Sequence, residues 1–138
     1  MKPILLDTGV IVALLDRSER HHRACVKALD AVARPLVTCE AVIAESCYLL
    51  RGLRGAPDAV LENVARGTFQ IALQLSGSVP YIQRVLRKYR GQEVDLAGAC
   101  LIHLANQLRT GDILTLDRDF QVYRWSGNKR FNLLIPLT

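Results

Sequence analysis

Long apolar runs are what this 138-residue sequence most plainly lacks. No uninterrupted stretch approaches the roughly 18 residues that cross a bilayer, and the N-terminus shows no basic region followed by an apolar core and cleavage site. The reading is a soluble, cytoplasmic protein with no membrane association. There is no Cys-x-x-Cys pair either: Cys25, Cys39, Cys47 and Cys100 are irregularly spaced. That favours buried reduced thiols over zinc ligands or disulfides. Also missing are a Gly-rich phosphate loop, a Gly-x-Ser-x-Gly and a His-Glu-x-x-His, which argues against P-loop nucleotide hydrolysis, serine-hydrolase chemistry and zinc proteolysis. Repeats, linkers and low-complexity stretches are absent too, so residues 1–138 read as one domain, half of it hydrophobic and able to build one core.

What is there begins with charge. A net +5 and a pI near 9.3 favour a polyanionic partner only modestly. The pattern along the chain says more. Short apolar strands are expected at 3–7, 36–38, 69–73 and 113–116, with a closing apolar segment at 132–137. Helices are expected at 9–16, 22–33, 41–53, 58–66, 81–89 and 94–108. Strands alternating with helices through short connections predict an α/β fold, a three-layer α/β/α domain on a central parallel sheet. The helix at 41–53 is apolar nearly all round and is expected to be buried between other elements.

Two strands end on an acid: Leu5-Leu6-Asp7 and Thr115-Leu116-Asp117. If those strands are parallel, both acids lie on the edge where open α/β sheets bind ligands. Glu45 falls inside the most apolar helix, where an unpartnered charge is costly. Asp95 opens a helix, and Asp117 and Asp119 bracket Arg118. Singly, each acid is equally well a cap, an ion pair or a surface charge. Jointly, converging carboxylates repel one another unless a cation neutralises them, and all-oxygen ligands suit Mg²⁺, with Mn²⁺ the alternative. His21 and His22 lie at a helix start and His103 on the expected polar side of its helix, so surface roles are expected for all three.

The sequence resembles the PIN domain, and within it the VapC-type toxins of toxin–antitoxin pairs. The resemblance is carried by Leu6-Asp7-Thr8-Gly9, by Glu45 within Val42-Ile43-Ala44-Glu45, by Val94-Asp95-Leu96-Ala97-Gly98-Ala99, and by Ile113 to Phe120 with Tyr123-Arg124 after it. It implies a Mg²⁺-dependent endoribonuclease with an acidic pocket, held silent by a small VapB-like antitoxin and usually a homodimer. On this reading Asp7, Glu45, Asp95 and Asp117 hold the metal, and Asp119 is a fifth catalytic candidate. Thr8 and Thr115 match family hydroxyls that hydrogen-bond the pocket. Arg118 and Arg124, with Arg84, Arg87, Lys88 and Arg90, are candidates for the RNA backbone. One departure stands out: Gly98 occupies the place where relatives with a similar helix carry the third acid. Either Asp95, one helical turn earlier and about 60° around the axis, takes over, or the chain is a weakened or inactive RNA- or partner-binding module.

Overall fold

The computed structural model describes residues 1–137. Among the described residues the main sheet has five strands: β1 (Ile4–Leu6), β2 (Leu36–Thr38), β3 (Phe69–Ile71), β4 (Asp112–Leu114) and β7 (Asn132–Leu133), in the order β3-β2-β1-β4-β7. Every pairing in it is parallel. Ile4, Leu5 and Leu6 are buried on both faces, as a central parallel strand requires. The connections from β1 through to β4 are helical: α1 (Thr8–Leu15), α2 (His22–Asp30), α3 (Glu40–Leu49), α4 (Ala56–Ala65), α5 (Val79–Lys88) and α6 (Leu96–Leu108). α1 packs against α2, α3 and α4, while α5 packs against α6, giving the expected three layers. A small antiparallel pair, β5 (Arg124–Trp125) with β6 (Lys129–Arg130), stands outside the main sheet.

From β1 the chain steps outward through β2 to β3, then returns to place β4 on the other side of β1. The crevice between β1 and β4 is therefore where the sheet changes direction, and at such a switch point the flanking loops diverge and leave room for a ligand. The register is set there by Leu5↔Ile113 and Leu6↔Leu114. Beyond the strands, the Asp7 amide still donates to the Leu114 carbonyl at 3.1 Å. The buried Thr38 hydroxyl donates to the Leu6 carbonyl at 2.8 Å and ties β2 to the same edge.

Two helices differ from the sequence expectation. α3 ends at Leu49, and Ala44, Glu45, Tyr48 and Leu49 face solvent, so only its Val42, Ile43 and Ser46 side is buried. In α6, by contrast, Ala97 to Ala105 are all buried, His103 included. His103 stacks on Tyr81 at 5.2 Å, its ring planes 10° apart, and burial lowers its pKa. Its polarity placed it outside; the packing of α5 over α6 places it inside. His22 is half-buried, with Nδ1 2.6 Å from the Ala13 carbonyl. Cys25, Cys39 and Cys100 are buried, Cys47 is partly so, and all are free thiols. No helix among the described residues is long and apolar enough to cross a membrane.

Candidate active site

Asp7 leaves β1 in extended backbone and caps α1, its Oδ1 accepting from the Thr8 amide at 2.8 Å. The turn residue and the site residue are thus one residue. Its other oxygen accepts from the Thr115 hydroxyl at 2.7 Å. The register places Thr115 opposite Asp7, one residue past the paired Leu6 and Leu114. Thr115 Oγ1 also accepts from the Asp117 amide at 3.0 Å, so one hydroxyl positions both strand-end acids. Asp117 in turn caps a 3-10 turn at Arg118–Gln121, its Oδ1 accepting from the Asp119 amide at 2.9 Å.

Asp7, Glu45, Asp95 and Asp117 line one cleft of about 340 Å³, with Thr8 and Gly98. Leu49, Leu116 and Phe120 form its apolar wall. Burial, with the nearby charges of Asp117 and Asp95, raises Asp7 from 3.8 to about 6, against the lowering effect of the Thr115 and Thr8 hydrogen bonds. Asp117 is also raised, chiefly by burial and then by Asp119 and Asp95. The same negative field, after burial, pushes the Tyr123 hydroxyl up to about 12. A carboxylate whose pKa is raised by burial and by neighbouring acids marks a site deficient in positive charge. Beside them, the Thr8 hydroxyl is buried with no hydrogen-bond partner among the described residues, an oxygen donor facing no protein group.

The PIN domain profile matches residues 4–125. The chain belongs to the PIN domain family. It is 34% identical over 134 residues to "Ribonuclease VapC26" of Mycobacterium tuberculosis (strain ATCC 25618 / H37Rv), an alignment covering 95% of this chain and 99% of that protein.

Within this PIN domain the sequence candidates separate. Asp7, Glu45, Asp95 and Asp117 come together as expected, though Glu45 stands on the exposed lip and not in a buried helix. Asp95 is not inside α6 at all. It is the N-cap, in extended backbone, and its Oδ1 accepts from the Gly98 amide at 2.8 Å. A helical-wheel angle therefore does not describe its direction; the cap geometry folds its carboxylate back over Gly98. A Cβ at Gly98 would meet that same oxygen at 3.0 Å. The missing side chain thus leaves the space that Asp95 fills. Asp119 does not line the cleft and acts on it through Asp117. Thr8 and Thr115 are at the site, while Arg118 is exposed beside Asp117. Arg124 turns inward to its own loop: Nη1 donates to the carbonyls of Gln121, Val122 and Tyr123 at 2.8–3.0 Å. It does not line the cleft. Leu49, Leu116 and Phe120 were not foreseen, because an apolar cleft wall carries the same sequence pattern as core.

All donors in the cleft are oxygens, as a hard divalent cation requires. The orphaned Thr8 hydroxyl and the charges of Asp117 and Asp95 bearing on Asp7 fit such an ion. Among the described residues no three His, Cys, Asp or Glu side chains form a preformed cage. The acids ring the cleft, an arrangement suited to an ion that keeps part of its water.

Proposed function

We propose that this PIN domain is a divalent-metal-dependent endoribonuclease, the toxin of a toxin–antitoxin pair, using Mg²⁺ or Mn²⁺. The observation that carries the reading is Asp7, whose charge sits at the switch point among other acids in a cleft that no Lys or Arg lines among the described residues. Asp7, Asp95, Asp117 and Glu45 would hold the ion. When bound, the ion lowers the pKa of water and offsets charge on phosphoryl oxygens. The chain's own residues prepare that chemistry. Thr115 fixes the Asp7 carboxylate from the other side and, through the Asp117 amide, sets the spacing of the two strand-end acids. Buried Phe120 and half-buried Leu116 keep water from one wall, which strengthens the electrostatic interactions beside it. The Asp95 carboxylate, held 2.8 Å from the Gly98 amide and lining the same cleft, supports Asp95 as the third acid over a non-cleaving module.

The printed activity of the mycobacterial relative, a ribonuclease, supports RNA as substrate. An antitoxin and a second copy of the chain are the proposed protein partners. Tyr48 and Leu49, 62% and 54% exposed on α3, with Leu61 on α4, present apolar surface of the kind that protein partners cover.

The test is cleavage of structured RNA by purified protein with Mg²⁺ and with chelator, beside Asp7→Asn. Metal-dependent cleavage that drops more than about 100-fold in the variant is expected, the scale on which charge-placing groups act. Absence of cleavage in the wild type with Mg²⁺ or Mn²⁺, or equal cleavage in the variant, would refute it.

A further inference from the structure

Away from the acidic cleft, two neighbouring cavities of about 540 and 530 Å³ share Asn106 in their linings along the C-terminal half of α6, and together they make up a basic groove bridged by the Asn106–Ser126 and Lys88–Gly127 hydrogen bonds. Its charged lining is one-sided. Arg84 and Lys88 lie in the first cavity; Lys2, Arg109 and Lys129 lie in the second; neither is lined by a carboxylate. In a chain with 18 basic and 13 acidic residues, a random groove of this size would be mixed. All five cations are exposed, and none is in a salt bridge among the described residues. The acid nearest in sequence to Arg109, Asp112, is held by Arg34 at 2.7 Å and Asn132 at 3.0 Å and also attracts Lys2, leaving Arg84, Lys88, Arg109 and Lys129 without an ion-pair partner among the described residues.

The groove is also ordered. Arg84 lies 5.3 Å over Tyr81, Lys88 5.4 Å over Tyr89 and Lys129 4.9 Å over Trp125, contacts that hold long side chains extended without neutralising them. Lys88 also donates to the Gly127 carbonyl at 3.2 Å, and the Ser126 amide donates to Asn106 Oδ1 at 2.6 Å. These bonds fix the β5–β6 connection against α5 and α6. Lys2 precedes β1 and Arg109 precedes β4, so this part of the groove lies at the end of the sheet opposite Asp7.

We infer that this groove binds a single-stranded segment of RNA through its phosphates, at a distance from the acidic cleft. Concave, basic and lined with aromatics, it has the character of single-strand binding grooves; a duplex presents a convex, stiff backbone that cannot enter such cavities. The inference rests on the RNA reading of the acidic cleft and extends it: substrate is held at one end of the molecule and presented at the other.

The experiment is fluorescence anisotropy with a labelled single-stranded RNA in chelator, so that no cleavage occurs, across a salt series. Wild type is compared with the triple variant Arg84→Gln, Arg109→Gln, Lys129→Gln, with circular dichroism confirming that both fold. Losing three phosphate contacts at a slope of about 0.7 each lowers the salt dependence by about 2 and weakens binding about 100-fold at 0.1 M salt. An unchanged slope and affinity in the triple variant overturns the proposal. So does poly-glutamate bound as tightly as RNA, which would make the occupant an acidic polypeptide, or a duplex bound as tightly as the single strand. The outcome is separable from the nuclease reading. Groove-dependent binding without cleavage in Mg²⁺ would refute only the latter, and cleavage with groove-independent binding only the former.

Discussion

Asp7→Asn should stabilise the metal-free protein while abolishing cleavage, and the two effects have one cause. Burial raises Asp7 from 3.8 to about 6, so the folded state binds the proton more tightly than the unfolded chain. Above pH 6 the fold must hold an ionised carboxylate it would prefer neutral. At about 1.4 kcal/mol per pH unit this costs at most about 3 kcal/mol. Asparagine keeps an oxygen for the Thr8 amide but disturbs the Thr115 hydrogen bond, a loss of about 1 kcal/mol. The net gain is about 2 kcal/mol, or about 6 °C in Tm for a chain of this length. The assay is thermal unfolding in chelator from pH 8 to pH 4. The advantage of the variant should be full above pH 6 and fade as the pH falls towards 4, where wild-type Asp7 is protonated as well. Added Mg²⁺ should raise Tm for the wild type far more than for the variant. A variant that melts at or below the wild-type temperature at pH 8, or a gain that persists undiminished at pH 4, would refute the reasoning.

Asp95 performs two tasks that Asn and Ala separate. Asp95→Ala should cost about 1 kcal/mol in denaturant unfolding through loss of the α6 cap, whereas Asp95→Asn, which caps equally well, should cost almost nothing. Both should weaken Mg²⁺ binding in calorimetry, and full affinity in Asp95→Asn would leave Asp95 a cap alone. Gly98→Ala crowds the same carboxylate, so Asp95→Ala should cost less in that background; equal costs in both backgrounds would show the two positions to be uncoupled. Gly111→Ala would drive a methyl into the indole of Trp125. A loss of more than about 1 kcal/mol and a red-shifted emission from this single tryptophan are expected, and unchanged fluorescence would count against the close packing.

Asp7 was legible because its pattern survives folding: an apolar run that stops at Asp is buried strand followed by sheet edge, and alternation with helices forces parallel pairing between β1 and β4. Asp117 was found by the same pattern although β4 stops at Leu114, because Thr115 and Leu116 carry the run past the last paired residue. Glu45 was legible as a candidate, and it does line the cleft, but not for the reason given by the sequence. Apolar composition in α3 reads as core, and nothing in sequence separates a side packed on the sheet from one facing a cleft or a partner. The direction of Asp95 was hidden for a different reason, since a helical wheel begins only after the cap. Arg124 shows the limit of charge alone: three carbonyls of its own loop claim one guanidinium nitrogen, and no spacing rule announces that. The β5–β6 pair, two residues per strand, is too short for any periodicity.

The register between β1 and β4 carries a consequence for how this chain can change over time. Successive strand residues point to opposite faces, so one residue added or lost between Ile4 and Asp7, or between Asp112 and Thr115, would part Asp7 from Thr115 and turn alternate side chains over. The sheet could re-pair after such an event, but the cleft could not. Length variation is therefore confined to connections that no site residue spans, such as 50–55 between α3 and α4, where Gly55 already takes a left-handed turn. Lineages of this fold should differ in those connections and keep count, residue for residue, along two short strands.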